Sequence, residues 1–256
     1  MSVPEPAGAA ASRLRTSATT VFHGKGGEGY TYTSPEKFYA DQSEIYNYYK
    51  RSWHADQPAH VQVLCEAAGM VPMLARAVRR YRVAVASSSG FDSLTVKHDL
   101  FREALRREEE FSQRTVLLHL GDHDPSGVWM HESMAEDLAA FCHDHEDAPD
   151  DLIWLRRIAL TPQQITELGI EPQPDAVKPS NSHSKAFIAR GLEPAAQLEA
   201  IPPDTLTVIV RQAVETALDL DILAASQAQE QQERRQVQEK LDAVNAVLRE
   251  AFGLRE

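Results

Sequence analysis

Short apolar runs and longer amphipathic stretches alternate through the middle of the chain. Residues 60–65, 82–86, 114–120 and 152–160 are rich in Val, Ile and Leu and are bounded by polar or turn-forming residues, the pattern of strands. Residues 67–80, 92–110 and 126–141 place apolar side chains at helical spacing. Strands separated by helices of this length require crossover connections, which are right-handed and join parallel strands. The predicted fold class is therefore α/β, a Rossmann-like domain with a mostly parallel sheet and a helical C-terminal extension. Thr161-Pro162 opens a further short helix with Thr161 as its cap, residues 170–185 read as a polar loop, and residues 203–256 as the helical extension.

The flanks carry weaker patterns. Residues 1–28 are small and polar, as in a disordered lead-in. Residues 29–57 read as a helical segment with Ser34 as cap and an aromatic stripe at Phe38, Tyr39, Tyr46 and Tyr49. Residues 23–30 are glycine-rich but lack the spacing of a phosphate loop. Near the C-terminus, Val237, Leu241, Val244, Leu248 and Phe252 recur in steps of four and three. That spacing resembles a coiled-coil seam and serves either to pair with another chain or to fold back on this one.

Composition narrows the class. The chain has 256 residues and two cysteines, enough to bury a core and too few thiols for a disulfide framework, so the cytoplasm is the expected compartment. No apolar run is long enough to span a membrane. The net charge of −12 argues against a broad basic surface for nucleic acid, but the charge is polarised along the chain. Arg76, Arg79, Arg80, Arg82, Lys97, Arg102, Arg106 and Arg107 face only three acids in the same stretch, whereas eight acids and no Lys or Arg lie between Glu132 and Asp151. Lys97, Arg102, Lys178 and Lys185 are the candidate phosphate-backbone contacts.

The candidate chemistry lies in Gly121-Asp122-His123-Asp124-Pro125-Ser126-Gly127, directly after the strongest predicted strand. In a parallel sheet the C-terminal strand edge is where ligands bind. Asp122 and Asp124 offer hard oxygen donors there, suited to Mg²⁺ or Mn²⁺. Glu66 follows the strand 60–65, and adjacency of the two strands would bring all three acids to one mouth. Glu66 then serves as metal ligand or as general acid/base. His123 is expected to point to the other side of the strand end. The same heptapeptide is also good turn chemistry, which would leave the acids solvated. Cys142, His143, His145 and His131 form a weaker zinc reading, without a second spaced pair.

Glu66 after an early strand and Asp122-x-Asp124-Pro-Ser-Gly after a later one resemble the TOPRIM domain, in the form found in the topoisomerase VI A-subunit branch and in bacterial TOPRIM-like nucleases of the Wadjet type. The similarity extends to residues 49–53 with Gln57-Pro58, to Ser89-Gly90-Phe91 with Ser93, to Leu160-Thr161 with Gln164-Ile165, and to residues 198–201. It covers about residues 45–225. It implies a TOPRIM-like domain over residues 58–202, with Glu66 in the acid/base position, Asp122 and Asp124 in the metal positions, and Mg²⁺ or Mn²⁺ as cofactor. The implied activity is metal-dependent DNA cleavage, in a bacterial anti-phage or anti-plasmid complex where a partner subunit or a homo-oligomer supplies target recognition. The chain departs from the family at Ala67, often Lys, and at Ser89, often Arg. About 57 residues precede the first strand, fewer than the winged-helix domain with the catalytic tyrosine of topoisomerase VI A subunits, which favours hydrolysis over strand passage. The alternative function is a non-catalytic TOPRIM-like scaffold subunit.

Overall fold

The computed structural model describes residues 33–34, 49–88, 93–178 and 182–252. The lead-in, the aromatic stripe up to Tyr48 and the Ser89-Gly90-Phe91 segment lie outside the described residues. Two compact units divide the chain: residues 52–226 form one, and residues 1–51 with 227–256 the other.

The larger unit is an α/β domain around four parallel strands. β1 (Ala59–Cys65), β2 (Ala84–Ser87), β3 (Arg114–Leu120) and β4 (Ile153–Ala159) are ordered β2-β1-β3-β4. Between them run α1 (Val71–Val78), α2 (Leu94–Phe111) and α3 (Pro125–Asp144). Alternation along the strands feeds two cores. Val61, Val63, Cys65, Leu118 and Leu120 pack on one face, toward α1 and the later helix α6 (Pro203–Ala217). Leu64 and Leu117 pack on the other, with Met134 and Leu138 of α3.

The predicted boundaries shift where the backbone has a local reason to turn. The strand expected at 82–86 starts at Ala84, because Arg82 takes a left-handed conformation (φ 55°) closing a short 3-10 turn, with its guanidinium 3.4 Å above the Trp53 ring. The expected helix 67–80 is α1 flanked by 3-10 turns. Thr161 caps α4 (Pro162–Glu167) through a complete capping box with Gln164, as its sequence predicts. The expected loop 170–185 holds a 3-10 turn at Pro174–Ala176 and the start of α5 (Ser184–Ala189). Gln57 is buried and its amide grips the Asp219 backbone twice, at 2.8 Å each, fixing the link after α6.

The last helix, α7 (Leu220–Phe252), begins in the larger unit and continues in the smaller one. In the smaller unit, Glu230 accepts from the Arg51 backbone N–H at 3.0 Å, and Glu233 pairs with Arg51 and accepts from the Tyr49 hydroxyl. Of the predicted seam, Val237 and Leu241 are partly covered, while Val244 is exposed. Among the described residues no helix is long and apolar enough to cross a membrane. Cys65 and Cys142 are free and buried.

Candidate active site

Strand order creates the site. The chain moves from β1 outward to β2 in one direction, and from β3 outward to β4 in the other. The crevice between the C-terminal ends of β1 and β3 is therefore the switch point where open α/β sheets bind ligands. Cys65 is in register with Leu120, so Glu66 and Gly121 leave the sheet side by side.

Each of the three predicted acids is held there by a backbone N–H. Glu66 Oε2 accepts from the Asp122 N–H at 3.1 Å. Asp122 Oδ1 accepts from the Leu198 N–H at 2.7 Å. Asp124 Oδ1 accepts from the Gly127 N–H at 2.7 Å, which makes Asp124 the N-cap of α3 with Pro125 in the first turn. Ser126, which the sequence also offers as a cap for this helix, lies inside its first turn, so the cap is Asp124. No Lys or Arg among the described residues forms an ion pair with any of the three. Burial, and then the neighbouring carboxylates, push the Glu66 and Asp122 carboxyls above their ordinary range.

The turn glycines are needed for this approach. A Cβ on Gly121 would lie 2.6 Å from Glu66 Oε2 and 2.9 Å from His119 Cε1. A Cβ on Gly127 would run into the Asp122 carbonyl oxygen.

Two residues that shape the surroundings of these acids escape the sequence reading. Arg157, on β4, donates to the carbonyls of Leu160 (3.0 Å), Gly127 (3.1 Å), Gly121 (2.9 Å) and Asp122. Its guanidinium ties the turn carrying both aspartates to the next strand and places positive charge behind the acids. Glu199 is a fourth carboxylate whose charge also raises Asp122, since Leu198 holds Asp122 directly beside it. Glu199 falls in the segment 198–201 that shares the resemblance, and that is its sequence signal; Arg157 bonds to carbonyls, which no motif marks.

The remaining candidates separate. His123 is buried away from the acids: its Nε2 lies 2.7 Å from the Leu192 carbonyl and its ring packs on Phe187. Lys97 does not serve as a free phosphate contact, because it is buried and its ammonium pairs with Asp137 at 2.5 Å. Arg102 is exposed on α2. Lys178 is exposed and lines a cleft of about 700 Å³ with Asp124, Ser126, Gln197 and residues 171–176. Lys185 is exposed on α5. The zinc reading finds no cluster: Cys142 is buried with Phe101 and Leu152, and His131 stacks on His119.

Among the described residues, no three His, Cys, Asp or Glu side chains stand close enough to enclose a metal ion. The donor chemistry nevertheless fits Mg²⁺, which is held by one or two carboxylates and completes its shell with water and substrate phosphate. Hard oxygens with no cationic partner and with raised proton affinity are what such an ion would relieve. No protein-family model, curated protein or solved structure matches this chain.

Proposed function

We propose that this chain is a TOPRIM-type, Mg²⁺-dependent DNA endonuclease that hydrolyses phosphodiester bonds at the β1/β3 switch point. The observation that carries the reading is the gathering of Glu66, Asp122 and Asp124 at adjacent strand ends, held by backbone N–H groups and left without a cationic partner. Asp122 and Asp124 would hold the ion, with Glu66 beside them. The bound ion supplies charge neutralisation on the phosphate and a more acidic water.

The chain's own groups do the rest. Glu66 is fixed through one oxygen, and its raised proton affinity brings it nearer to neutral pH, which suits a group that exchanges protons. In hydrolysis a water oxygen bonds to phosphorus, the ester P–O bond breaks, and a proton passes from water to the departing oxygen, with Glu66 as carrier. Lys178 lines the same cleft as Asp124 and meets the DNA backbone there. The net charge of −12 makes intrinsic DNA affinity low and fits a chain that relies on a partner subunit or a second copy for targeting.

Plasmid cleavage with Mg²⁺ or Mn²⁺ tests the reading on the whole chain. Asp122→Ala, Asp124→Ala and Glu66→Ala should each cut at least about 100-fold more slowly than the wild type. Equal residual cutting in all four proteins sinks the site and leaves the non-catalytic scaffold as the function.

A further inference from the structure

We infer that the nuclease site takes single-stranded DNA or an unpaired nucleotide, stacking one base on Trp129 beside the cleft that holds Asp124. The inference rests on the proposed nuclease reading. Trp129 is 46% exposed although it belongs to a helix that contributes to the core. One face of its indole stacks on His183, with ring centroids 4.5 Å apart and planes 21° from parallel. The exposure therefore lies on the parts of the residue that His183 does not cover.

Its place relative to the acids is set by α3. Asp124 caps the helix, Ser126 lines the cleft, and Trp129 follows Ser126 by three residues, which puts both on one helix face. Along the helix axis Trp129 lies about 7.5 Å beyond Asp124, and Ser126, on its own face, is what links the ring to the cleft. A strand entering the cleft at Asp124 and leaving over Ser126 carries a neighbouring base to Trp129.

The support beneath the ring is built. The buried Ser184 hydroxyl donates to the Lys178 carbonyl at 2.6 Å, tying the residue after His183 to the cleft wall. Phe187 packs on His123, between the two aspartates, and Arg190 grips Glu132 of α3 with two bonds of 2.9 and 2.5 Å. Residues 183–190, which include His183 and exposed Lys185, are therefore tied to Lys178, to His123 of the aspartate turn and to α3. An aromatic face with flanking cations is the recognition mode for unpaired bases, because every base offers a π-face only when unstacked. A duplex keeps its bases stacked and presents none.

Fluorescence anisotropy of a labelled deoxyoligonucleotide, single-stranded or annealed to its complement, tests this at low salt with EDTA to prevent cutting. The full chain should bind the single strand more tightly than the duplex. Trp129→Ala should weaken single-strand binding roughly tenfold and leave duplex binding unchanged. Trp129→Phe should restore most of the loss, and Trp154→Ala, on an exposed tryptophan of β4, should change nothing. Unaltered binding by Trp129→Ala, an equal loss on single strand and duplex, or no single-strand binding by the wild type overturns the stacking site. Metal-dependent plasmid cutting that is lost in Asp122→Ala judges the nuclease separately. Cutting without a Trp129 effect removes the platform alone, and a Trp129 effect without cutting removes the nuclease alone.

Discussion

Glu66, Asp122 and Asp124 stand on the ends of two adjacent central strands, whereas Lys178 on a loop and Trp129 on a helix side are exposed, with half-buried His183 stacked on Trp129 from a helix start. The first wall is rigid and electrostatically costly. Its acids are partly buried, repel one another, and are held by backbone N–H groups rather than by cations. The second wall is largely exposed and costs less to change. On the proposed reading, chemistry that requires fixed charge sits on the sheet, and contacts to a variable strand sit on the periphery. Substitutions in the first wall should therefore change rate and stability together, and substitutions in the second should change binding.

The largest effect should come from Gly121→Ala. The added Cβ meets the far end of the flexible Glu66 side chain on one side and the enclosed His119 ring on the other. His119 is stacked on His131 and has little freedom, so the Glu66 carboxylate is what moves. Glu66 then leaves its bond to the Asp122 N–H. On the proposed reading, DNA cutting should fall about 100-fold, while far-ultraviolet circular dichroism stays that of the wild type. Wild-type cutting by Gly121→Ala would show that Glu66 does not act from this position.

Arg157 comes next and separates positioning from chemistry. Its planar fork reaches four carbonyls, which a single ammonium cannot do. Arg157→Lys should cost about 2–4 kcal/mol in urea unfolding, since partly buried carbonyls lose their donors and the charge loses its bonds. Cutting that falls while the apparent affinity for DNA stays constant would mark Arg157 as a positioning residue for the aspartate turn. Unchanged stability would break the comparison, because the first wall would then not depend on its backbone clamp.

The sequence made the first wall legible and the second mostly not, and the reason is physical. Residues 114–120 form a strand with the predicted bounds because a strongly apolar run between polar ends admits few alternatives. The Gly-Asp-x-Asp turn after it is local chemistry, so the tight exit at Gly121 can be read from the residues, whereas the cap falls to Asp124 and not to Ser126 because the helix starts one residue earlier, at Pro125. The meeting of Glu66 with Asp122 needed strand adjacency, which periodicity alone leaves open. Lys97, a candidate phosphate-backbone contact by charge, lies four residues before Phe101 and seven before Ala104, on the buried stripe of α2. Trp129 and His183 are 54 positions apart and meet only through the docking of α5 on α3.

The smallest effect is an increase in stability. Glu66 and Asp122 bind protons more tightly in the folded chain than in the unfolded one, because burial and neighbouring carboxylates raise both. Stability contributed by such groups is present at acid pH and is lost as pH rises through the carboxylate range, so at neutral pH both are ionised at a cost. Glu66→Gln and Asp122→Asn keep a carbonyl oxygen to accept from the Asp122 and Leu198 N–H groups, and they remove the charge. Each should raise the melting temperature at neutral pH by roughly 2–4 °C, and the difference from wild type should shrink toward pH 4. Mg²⁺ should stabilise the wild type and not Asp122→Asn, which ties the strain in the first wall to the ion it is proposed to hold. A lower melting temperature for both amide variants at neutral pH would mean that Arg157 already compensates the carboxylates, and the contrast between a strained wall and a relaxed one would fail.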